Sequence, residues 1–506
     1  MPVRRMALLV NLFRLAVVVA TGAVLVTGAG SDADPSGLAR FHHQRLAWKP
    51  CGIDDLDAAG AECADVLVPL DYTKPHDRTM TVAISRITAG NSAQRRGVLV
   101  SNPGGPGAEG LDSVGLIGDV LTPEVLARYD LIGMDPRGVG RSDRGGRCGW
   151  PVGEMIRSSG HGPSGFRHDT VESAGMAVTC LNTGDPAVLR QLTTRNTARD
   201  MDVVRGALGE RTLNYYGVSY GTYLGAVYTQ MFPARSDRMV FDSSIDPDRY
   251  WEAMVQDWGP ADEAALDDWA GWAASRDDVY HFGATPAQVR TTVEDLLRTA
   301  GRQPIVIDDF LIDDHWLPFI LHNYLSNFRS NAALADLVRE VADDAGRPPA
   351  TARTPRLAAV LEALRTGENS ALAQIACADA PAPAEPEWYW HNIEAARTTQ
   401  PIFGAMANNI QPCAFWPRPV ETPTRVRNSV PVLLVQSTGD PRTPYPHALA
   451  LHRALSGSRL VTLRNIRIHM TFRTDLSACL NGTVNTYLGA GVLPAGDRTC
   501  DVNATM

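Results

Sequence analysis

Short, unbroken apolar runs recur through the first half of the chain and again near its end. Gly97-Val98-Leu99-Val100-Ser101, Tyr129-Asp130-Leu131-Ile132-Gly133-Met134, Leu213-Asn214-Tyr215-Tyr216, Arg238-Met239-Val240-Phe241 and Val432-Leu433-Leu434-Val435 are of this kind. Runs that do not alternate with polar residues predict strands buried on both faces, as in a parallel sheet. Val66 to Leu70 and Met80 to Ile84 flank a turn containing Pro and Asp, which predicts an antiparallel opening pair. Helical patterns fall between the runs. Arg199 to Leu208 is stopped by Gly209, and Tyr220 to Met231 ends before Pro233. This alternation predicts an α/β fold: a mostly parallel central sheet with helices on both faces.

The rhythm stops between Asp246 and Arg425. Trp251 to Trp272 is rich in Ala, Asp and Trp; Thr285 to Thr299, Asn331 to Ala345 and Thr354 to Leu364 read as amphipathic helices, and Pro381 to Pro386 as a proline-rich link. The predicted organisation is a core in two parts, 31–245 and 426–506, with a helical cap inserted at 246–425. Residues 1–30 carry an export pattern: Arg4 and Arg5, an apolar stretch that resumes after Arg14, then Thr27 and Ala29 as small residues for a cleavage site. A retained anchor is the alternative. The apolar run after Arg14 falls short of the ~20 residues that span a bilayer, which favours cleavage. Export predicts a secreted or cell-envelope protein with no stable membrane partner.

Composition narrows the classes. With 44% hydrophobic and 20% charged residues the chain is neither disordered nor membrane-filling. A net charge of -9 gives no electrostatic reason to expect nucleic acid as a partner. The cysteines are Cys51, Cys63, Cys148, Cys180, Cys377, Cys413, Cys479 and Cys500. Eight cysteines allow 105 pairings, and sequential pairing is the simplest. None has the Cys-x-x-Cys spacing of a zinc or redox site, so no metal is expected.

One constellation carries chemistry. Gly217-Val218-Ser219-Tyr220-Gly221 ends a strand and opens a helix, the setting in which Gly-x-Ser-x-Gly exposes a nucleophile on a tight turn. A serine hydroxyl needs a base, and the base needs a carboxylate to fix its tautomer. In the order Ser, acid, His, the acid follows a late strand, where Asp440 lies, and the histidine follows the last strand, where His469 lies. Asp242, at the end of an earlier strand, is the alternative acid. His447 and His452 sit in a helix after Asp440 and read as packed or exposed residues. Gly104-Gly105 within Asn102 to Gly107 is a turn whose backbone can approach a substrate, so this turn and the Tyr220 amide are expected to supply the two oxyanion donors.

The runs Asn102 to Gly107, Gly133-Met134-Asp135-Pro136-Arg137-Gly138-Val139-Gly140-Arg141-Ser142, Gly217 to Thr222 and Gly439-Asp440-Pro441-Arg442-Thr443-Pro444 together resemble the secreted tripeptidyl aminopeptidases of actinobacteria. These belong to the proline iminopeptidase-like branch of the α/β-hydrolase fold. The tail from Cys479 to Cys500 is similar as well, and the resemblance runs from about Trp48 onward, weakest in the cap. It implies a serine exopeptidase that releases short peptides from free N-termini without a cofactor, with Ser219, Asp440 and His469 as its triad and the amides of Gly105 and Tyr220 as its oxyanion donors. Two departures stand out. Ile466-Arg467-Ile468-His469-Met470 replaces the Gly-x-Gly-His turn common in the family, and Ala108-Glu109-Gly110 replaces small residues. Glu109 either enters the site or is solvated, the second being the ordinary fate of such a residue.

A free substrate ammonium needs a carboxylate; Asp379 and Glu252 are the candidates. A carboxylic-ester hydrolase with the same triad, or a hydrolase scaffold used only for binding, are the competing readings. A histidine base must be neutral, so activity should fall in acid.

Overall fold

The computed structural model describes residues 37–146, 148–150, 155–307, 310–345, 359–363, 367–368 and 370–504. The export pattern at 1–30 and most of the helix expected at 354–364 lie outside the described residues.

The strands are β1 (Lys49–Pro50), β2 (Glu62–Pro69), β3 (Thr79–Ile87), β4 (Gly97–Asn102), β5 (Tyr129–Met134), β6 (Leu213–Val218), β7 (Ser236–Asp242), β8 (Ile305–Ile307), β9 (Phe310–Ile312), β10 (Val432–Ser437), β11 (Arg459–Leu463) and β12 (Arg498–Cys500). All but β8 and β9 form one sheet in the order β1-β2-β3-β5-β4-β6-β7-β10-β11-β12. The first pairings, β1 with β2, β2 with β3 and β3 with β5, are antiparallel. From β5 to β12 every pairing is parallel. The predicted fold class holds, and so does the antiparallel opening pair. β4, β5, β6 and β10 are buried along their whole length, as their unbroken apolar runs require.

The helices that position the site are α1 (Thr194–Ala207), α2 (Tyr220–Met231), α3 (Glu252–Ala274), α4 (Pro286–Arg302), α5 (Trp316–Leu325), α6 (Asn331–Asp344), α7 (Ser370–Asp379) and α8 (Tyr445–Ala454). Helix α1 begins five residues before the predicted Arg199, because the Thr193 hydroxyl accepts from the Asn196 amide and caps it there. Between β7 and β10 the chain runs through α3 to α7 and the β8–β9 hairpin. Described residues of this stretch, the cap, bond to the loops after β10 and β11: Arg442 donates to the His322 carbonyl and the Phe328 amide to the Arg467 carbonyl.

A buried ion pair and four disulfides brace the fold. Arg137, fully buried, donates to both carboxylate oxygens of Asp200 at 2.6 Å and to the carbonyls of Pro69 and Leu70. Breaking such a buried pair from one side costs about 3–5 kcal/mol, so the Asp-Pro-Arg-Gly run is a strut. The disulfides pair Cys51–Cys63, Cys148–Cys180, Cys377–Cys413 and Cys479–Cys500, the sequential pattern. Bonds of this kind fit an oxidising compartment.

Candidate active site

Ser219 sits between β6 and α2 with φ 56° and ψ -120°, a conformation that costs a non-glycine residue about 1–3 kcal/mol and that the surroundings must hold. Its amide donates to the Asp242 carbonyl at 2.9 Å. The elbow is too tight for side chains beside it. A Cβ on Gly217 would lie 2.4 Å from the Gly221 carbonyl oxygen. The glycine turn at 102–107 presses on the same point: a Cβ on Gly104 would lie 2.7 Å from the Val218 carbonyl oxygen and 3.0 Å from Ser219 Cβ. The Gly104 amide is turned inward, to Asn102 Oδ1 at 3.1 Å. Among the described residues, the amides of Gly105 and Tyr220 have no internal acceptor. Tyr220 opens α2, where the helix leaves its first N–H groups free and favours negative charge.

His469 Nδ1 lies 2.8 Å from Asp440 Oδ2. Asp440 is buried and also accepts from the amides of Arg442 and Thr443, the Thr443 hydroxyl and Gln436 Nε2. Burial alone would raise its carboxyl. The His469 charge and hydrogen bond, with the Thr443 donors, outweigh burial and hold it below the usual carboxylate range. Both predicted members of the pair are therefore brought together.

The Asp242 carboxylate is bonded to the chain beyond the histidine rather than to its ring. It accepts from the amides of Thr471 and Phe472 at 2.9 Å, from the Thr471 hydroxyl, and from Tyr216. Ser243 Oγ takes the Met470 amide at 2.9 Å. One residue thus holds the elbow by its carbonyl and the chain just past His469 by its side chain. Reading the sequence misses this role, because it shows an acid at a strand end but not what the acid binds.

The other candidates separate clearly. His447 is buried against Asp257, with Nε2 at 2.8 Å from Oδ2, and His452 contacts Ser458; neither joins the site. The Glu109 side chain is 71% exposed, the solvated outcome. Asp379 accepts from the Thr194 amide at 2.6 Å and the Thr194 hydroxyl at 2.5 Å, and that hydroxyl lies 2.6 Å from Tyr220 Oη. Burial, opposed by these bonds, pushes the Asp379 carboxyl up to about 7. Glu252 opens α3, two residues after Tyr250, whose ring centroid is 6.0 Å from that of Tyr220. Both Glu252 carboxyl oxygens are buried and, among the described residues, have no hydrogen-bond partner; burial pushes the group up to about 8.

Residues 97–299 match the family described as alpha/beta hydrolase fold, and residues 399–500 the family described as TAP-like protein. The chain is 34% identical to the tripeptidyl aminopeptidase of Streptomyces lividans over 497 residues, covering 92% of this chain and 88% of the relative. It is 27% identical to serine protease Hip1 of Mycobacterium tuberculosis, covering 95% and 96%. It is 28% identical to carboxylesterase B of the same organism, covering 90% and 89%. Elbow, glycine turn and Asp–His pair lie at strand ends of a sheet with this order, and the likeness runs the length of both chains: the protein belongs to the tripeptidyl aminopeptidase family of α/β-hydrolase-fold serine hydrolases.

Proposed function

We propose that the protein is an exported serine exopeptidase that removes short peptides, tripeptides foremost, from free N-termini. The observation that carries the reading is the Asp440–His469 hydrogen bond, tied through Asp242 and Ser243 to the elbow of Ser219. His469 Nε2 takes the Ser219 proton as Oγ attacks the scissile carbonyl. The oxyanion rests on the free amides of Gly105 and Tyr220, each such donor contributing about 3–4 kcal/mol to the barrier reduction. His469 then protonates the leaving amine, and water, deprotonated by the same imidazole, hydrolyses the acyl-enzyme.

The substrate ammonium pairs with Glu252. Asp379 already spends both oxygens on Thr194, whereas Glu252 is a sealed carboxyl with no hydrogen-bond partner among the described residues, and a bound cation would draw off its proton and pair with it. Four disulfides support export, and the export pattern at 1–30 agrees with them. The relative named carboxylesterase B keeps ester hydrolysis as the second reading. Mass spectrometry of the products from a free decapeptide tests the first. Successive loss of three residues from the N-terminus is expected; internal cleavage, or no peptide cleavage beside rapid ester hydrolysis, overturns it.

A further inference from the structure

The histidine loop lacks glycines, and the structure supplies what holds it instead. Arg467, 3% exposed, donates from Nε to Asp268 of α3 at 2.8 Å, from Nη1 to the Leu325 carbonyl at 2.6 Å, and from Nη2 to Asn331 Oδ1. All three acceptors belong to the cap. The backbone follows the same course: the Phe328 amide donates to the Arg467 carbonyl at 2.8 Å, and the His469 amide donates to the Ser326 carbonyl at 2.9 Å. The loop is bracketed by two non-glycine residues in left-handed conformation, Asn465 at φ 55° and Met470 at φ 72°. Such residues persist only where neighbours hold them.

The acid loop reaches for the same place. Arg442, two residues after Asp440, donates to the His322 carbonyl at 3.1 Å. His322 and Leu325 lie in the last turn of α5, whose final carbonyls have no partners within the helix and carry the negative end of its dipole. Two arginines, one from each catalytic loop, cap that single helix end.

We propose that the C-terminus of α5 is the post on which the acid and base loops are hung, so that Arg467 is a positioning residue for His469 and the seating of the cap sets the Asp440–His469 pair. The inference rests on the serine-hydrolase reading above. Its consequence is that a cap displaced by an unsuitable substrate also displaces the base, which couples substrate choice to turnover. A misplacement of about 1 Å can lower turnover about 10²-fold.

The test compares wild type with Arg467→Met, Arg467→Lys and Asn331→Ala. Three readouts are taken: kcat and KM on a tripeptidyl anilide, the rate of fluorophosphonate labelling, and the downfield proton resonance of the His469 Nδ1–H bonded to Asp440. Arg467→Met is expected to lower kcat and labelling about 10²-fold with KM little changed, and to broaden or shift the proton resonance. Arg467→Lys and Asn331→Ala should give graded, smaller losses. An unchanged resonance with unchanged kcat overturns the proposal. So does a loss that appears only in the unfolded fraction measured by circular dichroism. If wild type itself fails to label or turn over, the hydrolase reading fails, and the resonance still decides the positioning role.

Discussion

Replacing Glu252 by glutamine should stabilise the protein, and do so only as the pH rises. Both carboxyl oxygens are sealed and, among the described residues, unpartnered, and the group is pushed from 4.5 up to about 8 by burial. Between those values the native state keeps a proton that the unfolded chain releases. The unfolded state then binds fewer protons, so stability falls as pH rises through that window, by about 1.4 kcal/mol for each pH unit. Starting from 4.5, the loss reaches about 3 kcal/mol by pH 7. Glutamine resembles the protonated acid in size and charge, so Glu252→Gln should match wild type near pH 4 and exceed it by about 3 kcal/mol at pH 7. Thermal and urea unfolding of both proteins at the two pH values measure the difference. The same variant should lose affinity for free-amine substrates, because the carboxylate that costs stability is the one that receives the ammonium. A gain that does not depend on pH, or a variant weaker than wild type at pH 7, would refute the reasoning.

Other changes are expected to act on the chemistry or on the frame. Ser219→Ala should abolish fluorophosphonate labelling and lower kcat at least about 10⁴-fold while leaving the unfolding curve in place. Asp440→Asn should lower kcat about 10⁴-fold through the wrong imidazole tautomer, with KM nearly constant in steady-state assays. Since the Asp440 carboxyl is held below the usual range, its contribution to stability is present above the ordinary carboxylate value and is lost as pH falls. An acid titration of wild type against Asp440→Asn should therefore converge at low pH. Removing the Cys377–Cys413 bridge, which closes a separation of 36 residues across the cap, should cost about 4 kcal/mol, read as a lower melting temperature of the double serine variant.

The core strands were legible because a buried parallel strand writes itself as an unbroken apolar run. The elbow was legible because its glycines answer a steric need within five adjacent residues. Asp440 and His469 could be read from their places after β10 and β11. What was hidden depends on contacts far apart in the chain. Asp242 meets Thr471 and Phe472, and Arg467 meets Asp268, Leu325 and Asn331; no local pattern announces either. The helix Pro163–Thr183 escaped for another reason. Its buried stripe is Phe166, Asp169, Ser173, Ala177 and Cys180, correctly spaced but too polar to read as an apolar face. β12 and the β8–β9 hairpin are three residues each, too short for alternation to stand out.

The central claim is that this site demands a free N-terminus. The direct measurement is kcat/KM for one tripeptidyl anilide with its amine free and with the same amine acetylated, beside a short acyl ester. Acetylation removes the ammonium that would take the place of the Glu252 proton, and above pH 8, where burial no longer keeps that proton on, losing one charged partner of a buried pair is worth about 3 kcal/mol, or roughly 10²-fold. A fall of that size on acetylation, absent in Glu252→Gln, is the predicted result. Equal rates for the free and acetylated anilides, or hydrolysis of the ester alone, would contradict it.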